Sequence, residues 1–136
     1  MLDIQLLRDN PHGVAEALQK RGFEFDVNHF LALEEERKGL QIETQSLQNE
    51  RNVRSKAIGK AKQAGEDIDA LKNEVSRLGE TLELKKQALN EVLSQLHEML
   101  IRMPNIPHDS TPEGKDEDDN VFLREWGTPR SFSFTP

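Results

Sequence analysis

Ile68, Leu71, Val75, Leu78, Leu82, Leu89, Val92, Leu96, Met99 and Met103 follow one another at alternating steps of three and four residues, with only Lys85 breaking the line. On an α-helix that spacing places every one of these side chains on a single stripe. A stripe sustained for about five heptads, with charged flanks, demands a partner helix along its whole length. A weaker line of the same kind precedes it. Phe30, Leu33, Leu40, Leu47, Ile58 and Ala61 keep the spacing, while Arg37, Thr44, Arg51 and Arg54 interrupt it. No proline occurs between Pro11 and Pro104, so nothing in that span forbids continuous helix.

The two lines meet at "QAGED". Gly65 can end the first helix in a left-handed conformation, and Asp67 can cap the second, with acidic groups near its positive end. Long helices joined by so short a turn fold back antiparallel. Heptad pairing then matches residues whose numbers sum to about 129: Ala61 with Ile68, Arg54 with Val75, Leu47 with Leu82, Leu33 with Leu96. The same register sets Thr44 opposite Lys85, one polar break against another. With roughly 36 residues per helix, the arm is roughly 55 Å long.

The ends differ from the arm. A short helix is expected around Ile4 to Arg8. Asn10 can cap a second one that starts at Pro11 and ends near Gly22, and Asp26 is a candidate cap for the first long helix. These N-terminal helices, through Leu6, Leu7, Val14 and Leu18, are expected to cover Leu93, Leu100 and Ile101 at the foot of the hairpin. After Met103 comes an acidic, proline-rich stretch, "PNIPHDSTPEGKDEDDN". "VFLREWG" and "RSFSF" follow and alternate enough for short strands. The expected fold is therefore all-α: a long antiparallel two-helix coiled-coil hairpin, a small helical base and a C-terminal extended linker. Its divisions are a helical arm over 1–103, with short helices in 3–22 and long ones at about 27–64 and 68–103, and a linker segment over 104–136.

Composition narrows the functions available. The aromatic residues fall before position 31 or after 121, as suits a slender helical body more than a packed sheet. There is no cysteine, which excludes disulfides and thiolate metal sites and fits a reducing, cytoplasmic setting. No apolar run reaches the length of a membrane span, and the N-terminus does not read as a secretory signal. His12, His29, His97 and His108 lack metal-ligand spacing. The carboxylates at 34–36 and 116–119 read as solvated surface. No phosphate loop or nucleophile constellation is present, so no catalytic, cofactor-binding or metal-binding residue is assigned.

One stretch stands out by charge. The formal net charge is -7, yet "RNVRSKAIGKAKQAG" holds Arg51, Arg54, Lys56, Lys60 and Lys62 and no acid. It occupies the last turns of the first long helix, at the far end of the arm. At 100° per residue, Arg51, Arg54 and Lys62 share one side, with Lys56 and Lys60 nearly opposite and Val53, Ala57, Ala61 and Ala64 in a strip between. Helices usually mix charge signs, because opposite charges one turn apart support them. A run of cations without acids is better tolerated when a polyanion binds, and phosphates are the obvious one. Without aromatic side chains, duplex backbone or RNA shape suits it better than stacked single strands. Arg51 and Arg54 also occupy seam positions, so one of them has a structural reading. The plainer reading of the whole run is a solvated coiled-coil surface.

The order of motifs resembles the N-terminal region of bacterial-type seryl-tRNA synthetases (serine–tRNA ligases) across essentially the entire chain. The motifs are "LLRDNP" and "RG" near the start, "RNVRSKAIG" near the hairpin tip, and "MPNIPHDSTPEGKDEDDNVFLREWGTP" after it. The resemblance implies an arm that reaches across a homodimer and grips the long variable arm and elbow of tRNA(Ser), reading RNA shape more than base sequence. The residues it implies for RNA contact are Arg51, Asn52, Arg54, Ser55, Lys56, Lys60 and Lys62. It also implies that ATP, Mg²⁺ and serine are handled by a C-terminal class II catalytic domain, and that residues 104–136 lead into that domain. The 136 residues alone are then expected to be monomeric and to need no cofactor. They are expected neither to activate serine nor to charge tRNA. The competing class is a structural coiled-coil module that docks proteins, which would want apolar residues near the tip; the tip has mostly Ala, Gly and Lys. Gly39, Gly59 and Gly79 within the long helices suggest a tip that bends.

Overall fold

The structure, a computed structural model, describes residues 2–114, 116–128, 130, 131, 133 and 134. Its helices are α1 (Ile4–Asp9), α2 (Pro11–Gln19), α3 (Val27–Ala64) and α4 (Asp69–Arg102), followed by one 3₁₀ turn (Glu117–Asp119). Each early helix starts on a side-chain cap. Asp3 accepts from Gln5 N at 2.9 Å, Asn10 from Gly13 N at 3.0 Å, and Asp26 from His29 N at 2.9 Å. These contacts satisfy amides that have no partner in the first turn. Pro11, which lacks a donor, takes the first position of α2. α2 stops at Gln19, earlier than Gly22; the chain then turns through Gly22 at φ +68°, with Gly22 N bonded to Gln19 O at 2.8 Å.

α3 and α4 form the antiparallel hairpin. Gly65 ends α3 at φ +73°, its N–H shared between Ala61 O and Lys62 O, and Glu66 N returns to Ala61 O at 3.0 Å. A residue with a β-carbon is disfavoured there, which is why glycine marks the bend. Asp67 sits one place before the cap position of α4, held by Ile68, and accepts from Asp69 N at 3.0 Å. It therefore anchors the entry to the helix without being its cap residue.

The seam follows the 3-4 lines. Every seam position from Phe30 to Ala61 and from Ile68 to Met103 is buried or half-buried, except Arg51. Cross-hairpin contacts set the register: Arg54 pairs with Glu74, Lys85 Nζ lies 2.7 Å from Glu43 Oε2, and Arg51 reaches over Gly79. Each pair's numbers add to within one of about 129, as heptad pairing requires. Thr44 satisfies its hydroxyl on its own helix, donating to Leu40 O at 2.6 Å. Lys85 therefore bonds the acid beside Thr44.

The core lies at the foot. Leu7, Val14, Leu18, Phe30, Leu33, Val92, Leu96, Leu100 and Met103 form one buried cluster drawn from all four helices and the residue after α4. Further up the arm only Leu82 and Ala61 are buried. Leu6, Leu93 and Ile101 are not covered as expected; Ile101 is 61% exposed. Leu93 and Ile101 each follow a buried residue, Val92 and Leu100, and one step turns a helical side chain by about 100°, off the stripe that α1 and α2 cover.

Glu34 also departs from the expected solvated surface. It is only 4% exposed and is no part of a solvated acidic surface. Arg8 donates to it through Nε at 2.8 Å and Nη2 at 3.0 Å, and Arg37 through Nε at 3.1 Å and Nη2 at 3.0 Å. Burial pushes the Glu34 carboxyl up, but the bonds and charges of Arg8 and Arg37 outweigh it and hold it below the ordinary carboxylate value. This ties α1 to α3 and explains why the seam tolerates Arg37.

The segment after Met103 holds, among its described residues, only turns, bends, irregular chain and the one 3₁₀ turn. Arg21 Nη1 donates to Asn105 O at 2.8 Å and fastens its start to the end of α2. No strand forms among the described residues, so "VFLREWG" is not a strand here. Phe122, Leu123 and Trp126 are exposed, Trp126 by 96%, because no edge or core among the described residues meets them. "RSFSF" includes Phe132, which lies outside the described residues.

Candidate nucleic-acid interface

The tip is built from the last turns of α3, the Gly65 bend and the first turns of α4. At 1.5 Å per residue, Lys60 stands roughly 40 Å along the helix from Leu33 in the core. The helix is oriented there by its seam residues: Ala61 is buried and Ile58 half-buried. That orientation sends Lys56 and Lys60, about 160° or more from Ile58, outward from the hairpin. Both are exposed, as is Lys62 on the flank. Among the described residues none forms an ion pair with Lys56, Lys60 or Lys62. Val53, Ala57 and Ala64 are exposed beside them, and Ala61 alone of that strip is covered.

The other residues of the expected set divide. Arg51 is exposed and lies over α4 where Gly79 leaves room; a β-carbon there would meet Arg51 Nε at 3.9 Å. Asn52 is exposed, and its side-chain oxygen accepts from Gln48 Nε2 at 3.1 Å. Ser55 is exposed. Arg54 stands apart. It is half-buried, donates to Glu50 Oε1 through Nε at 3.0 Å and Nη2 at 2.8 Å, and donates to Glu74 Oε2 through Nη1. The bonds to Glu50 and the charge of Glu74 raise the Arg54 pKa. The basic run contains no acid, but this member is neutralised by acids just outside it.

The bend itself is acidic. Glu66, Asp67 and Asp69 are exposed, and Lys72 Nζ lies 3.6 Å from Asp69 Oδ1. The cationic surface is thus the flank of α3 below the bend. On α4, Arg77 is an exposed cation that the reading of the basic run missed; it lines a shallow groove with Arg54, Glu74, Leu78 and Thr81. The hairpin register, which puts residue 77 level with 52, is the signal that finds it. No group of three or more His, Cys, Asp or Glu among the described residues is arranged to hold a metal ion. No helix is long and apolar enough to cross a membrane, again among those residues.

Residues 1–107 match the family described as "Seryl-tRNA synthetase N-terminal domain". The chain belongs to that family. Over 134 residues it is 58% identical to a serine–tRNA ligase of Legionella pneumophila (strain Corby), covering 98% of this chain and 32% of the relative. A serine–tRNA ligase of Pseudoalteromonas atlantica is 52% identical over 134 residues, with 98% and 31% covered. The fold matches a crystal structure of seryl-tRNA synthetase from Pyrococcus horikoshii complexed with ATP. That match has a TM-score of 0.80 and 37% identity over 93% of this chain and 29% of that one. The chain spans about a third of the length of the curated relatives it matches.

Proposed function

We propose that this seryl-tRNA synthetase N-terminal domain is the tRNA-binding arm of a serine–tRNA ligase. It grips the long variable arm of tRNA(Ser) and positions the RNA for serylation by a class II catalytic domain. The observation that carries the reading is the flank of α3, where Lys56, Lys60 and Lys62 are exposed without acidic partners among the described residues, far from the core of an otherwise acidic chain. Arg51, Asn52 and Ser55 extend that flank. Cations of this kind supply phosphate affinity, and their position far out on a long helical arm supplies shape selection. A protein-docking hairpin would want apolar side chains at the tip, where this one presents alanine and lysine.

In this reading residues 104–136 lead from the arm toward the catalytic domain, and ATP with Mg²⁺ is used there. The arm works in a cytoplasmic homodimer, while the 136 residues are monomeric because each chain supplies both helices of its seam. The test is a mobility-shift titration of the 136-residue chain with tRNA(Ser) and with a tRNA that lacks the long variable arm. Tighter, salt-sensitive binding of tRNA(Ser) is expected. Equal affinity for the two RNAs would remove the recognition claim.

A further inference from the structure

Arg54 occupies a seam position of α3, where the facing stripe of α4 offers Val75 and Leu78, both half-buried. A polar residue at such a position costs stability and fixes register when it finds a partner. Here the guanidinium bonds Glu50 one turn back on its own helix and Glu74 on the opposite helix. The two carboxylates belong to different helices and the single cation lies between them. Without it, two like charges would face each other across the thin end of the hairpin, where Ala61 is the only buried side chain beyond Leu82. A guanidinium already shared by two carboxylates is also a poor phosphate ligand, since the local charge is negative. Planar Arg suits this bridging and Lys does not, because a fork of donors meets two acceptors at once.

We propose that Arg54 is a positioning residue: with Glu50 and Glu74 it clamps α3 to α4 below the tip and so holds Lys56, Lys60 and Lys62 in place, without itself binding RNA phosphate. The RNA part rests on the proposed function; the clamp does not. The two are separable because Glu74 gives opposite signs under the two roles. If Arg54 were a phosphate ligand held in reserve, removing Glu74 would free it and strengthen RNA binding. As a clamp, it loses its cross-hairpin anchor, and binding weakens.

The experiment has two arms, both on the 136-residue chain. Amide hydrogen exchange without RNA compares the parent with R54Q and E74Q. Exchange over residues 55–70 is expected to quicken about twofold to fivefold in both variants, the range open to an exposed ion pair. Unchanged exchange in both overturns the clamp, whether or not the chain binds RNA. Titration with tRNA(Ser) over a range of salt then compares the same proteins. Weaker binding by both variants, with the parent's salt slope retained by R54Q, supports the assignment. Tighter binding by E74Q, or a slope reduced by about one in R54Q, makes Arg54 a phosphate ligand and overturns it. If the parent does not bind tRNA at all, the proposed function fails and the exchange result alone decides the clamp.

Discussion

Replacing Glu34 with Gln removes one charge at nearly constant shape from the point where α1 meets α3. The parent carboxylate accepts four bonds from two guanidiniums. A glutamine offers one oxygen, and its amide nitrogen would point donors at donors. Breaking a fully buried ion pair costs about 3–5 kcal/mol because a charge is left dry. Here the relief differs by partner: the Arg8 side chain is 31% exposed and can rehydrate, whereas that of Arg37 is 15% exposed and largely cannot. The expected loss is therefore about 2 kcal/mol, above the 0–1 kcal/mol of surface pairs. Urea denaturation followed by far-ultraviolet circular dichroism measures it, with E35Q, at an exposed neighbour, as the control. A loss below about 0.5 kcal/mol, equal to the control, would refute the reasoning, because Glu34 would then behave as a solvated acid.

The same residue predicts an acid dependence. Its folded pKa lies below the ordinary value of 4.5, so its contribution is fully present above that pH and is lost as the pH falls through the lowered folded value. The stability gap between the parent and E34Q, read from urea midpoints, should close in acid. Leu82 is the one leucine of the mid-arm with no exposed surface, and L82A should cost about 2–4 kcal/mol in the same assay. A β-carbon at Gly39 or Gly59 meets nothing within 4 Å, so G39A and G59A should each raise stability by up to about 1 kcal/mol; a drop in melting temperature would mean an unseen contact. The G59A chain also tests the bending tip, since hydrogen exchange near residue 59 should slow in it.

What could be read from residues alone followed the range of the forces involved. The hairpin was legible because a 3-4 stripe from Ile68 to Met103 and a glycine at the bend act locally, and antiparallel pairing then follows from the shortness of the turn. The outward direction of Lys56 and Lys60 was legible for the same reason, since it depends only on helical periodicity and on which residues fill the seam. Long-range pairing was hidden. Glu34 looks like part of an acidic surface run until Arg8, 26 residues earlier, is brought onto it. Arg54 looks like a free cation until Glu74, 20 residues later, meets it across the hairpin. Alternation over "VFLREWG" suggested strands, but a strand needs a neighbour to bond, and none is supplied among the described residues.

The central claim is that the cationic flank of α3, and no other basic surface of the chain, engages tRNA(Ser). Its most direct measurement is the affinity of K56E/K60E beside that of K20E/R21E, in which the charge is reversed at the foot of the arm. Reversal on the flank should weaken binding at least about tenfold and flatten its salt dependence, while reversal at the foot stays within about twofold. Equal losses in the two variants, or a greater loss at the foot, would contradict the account.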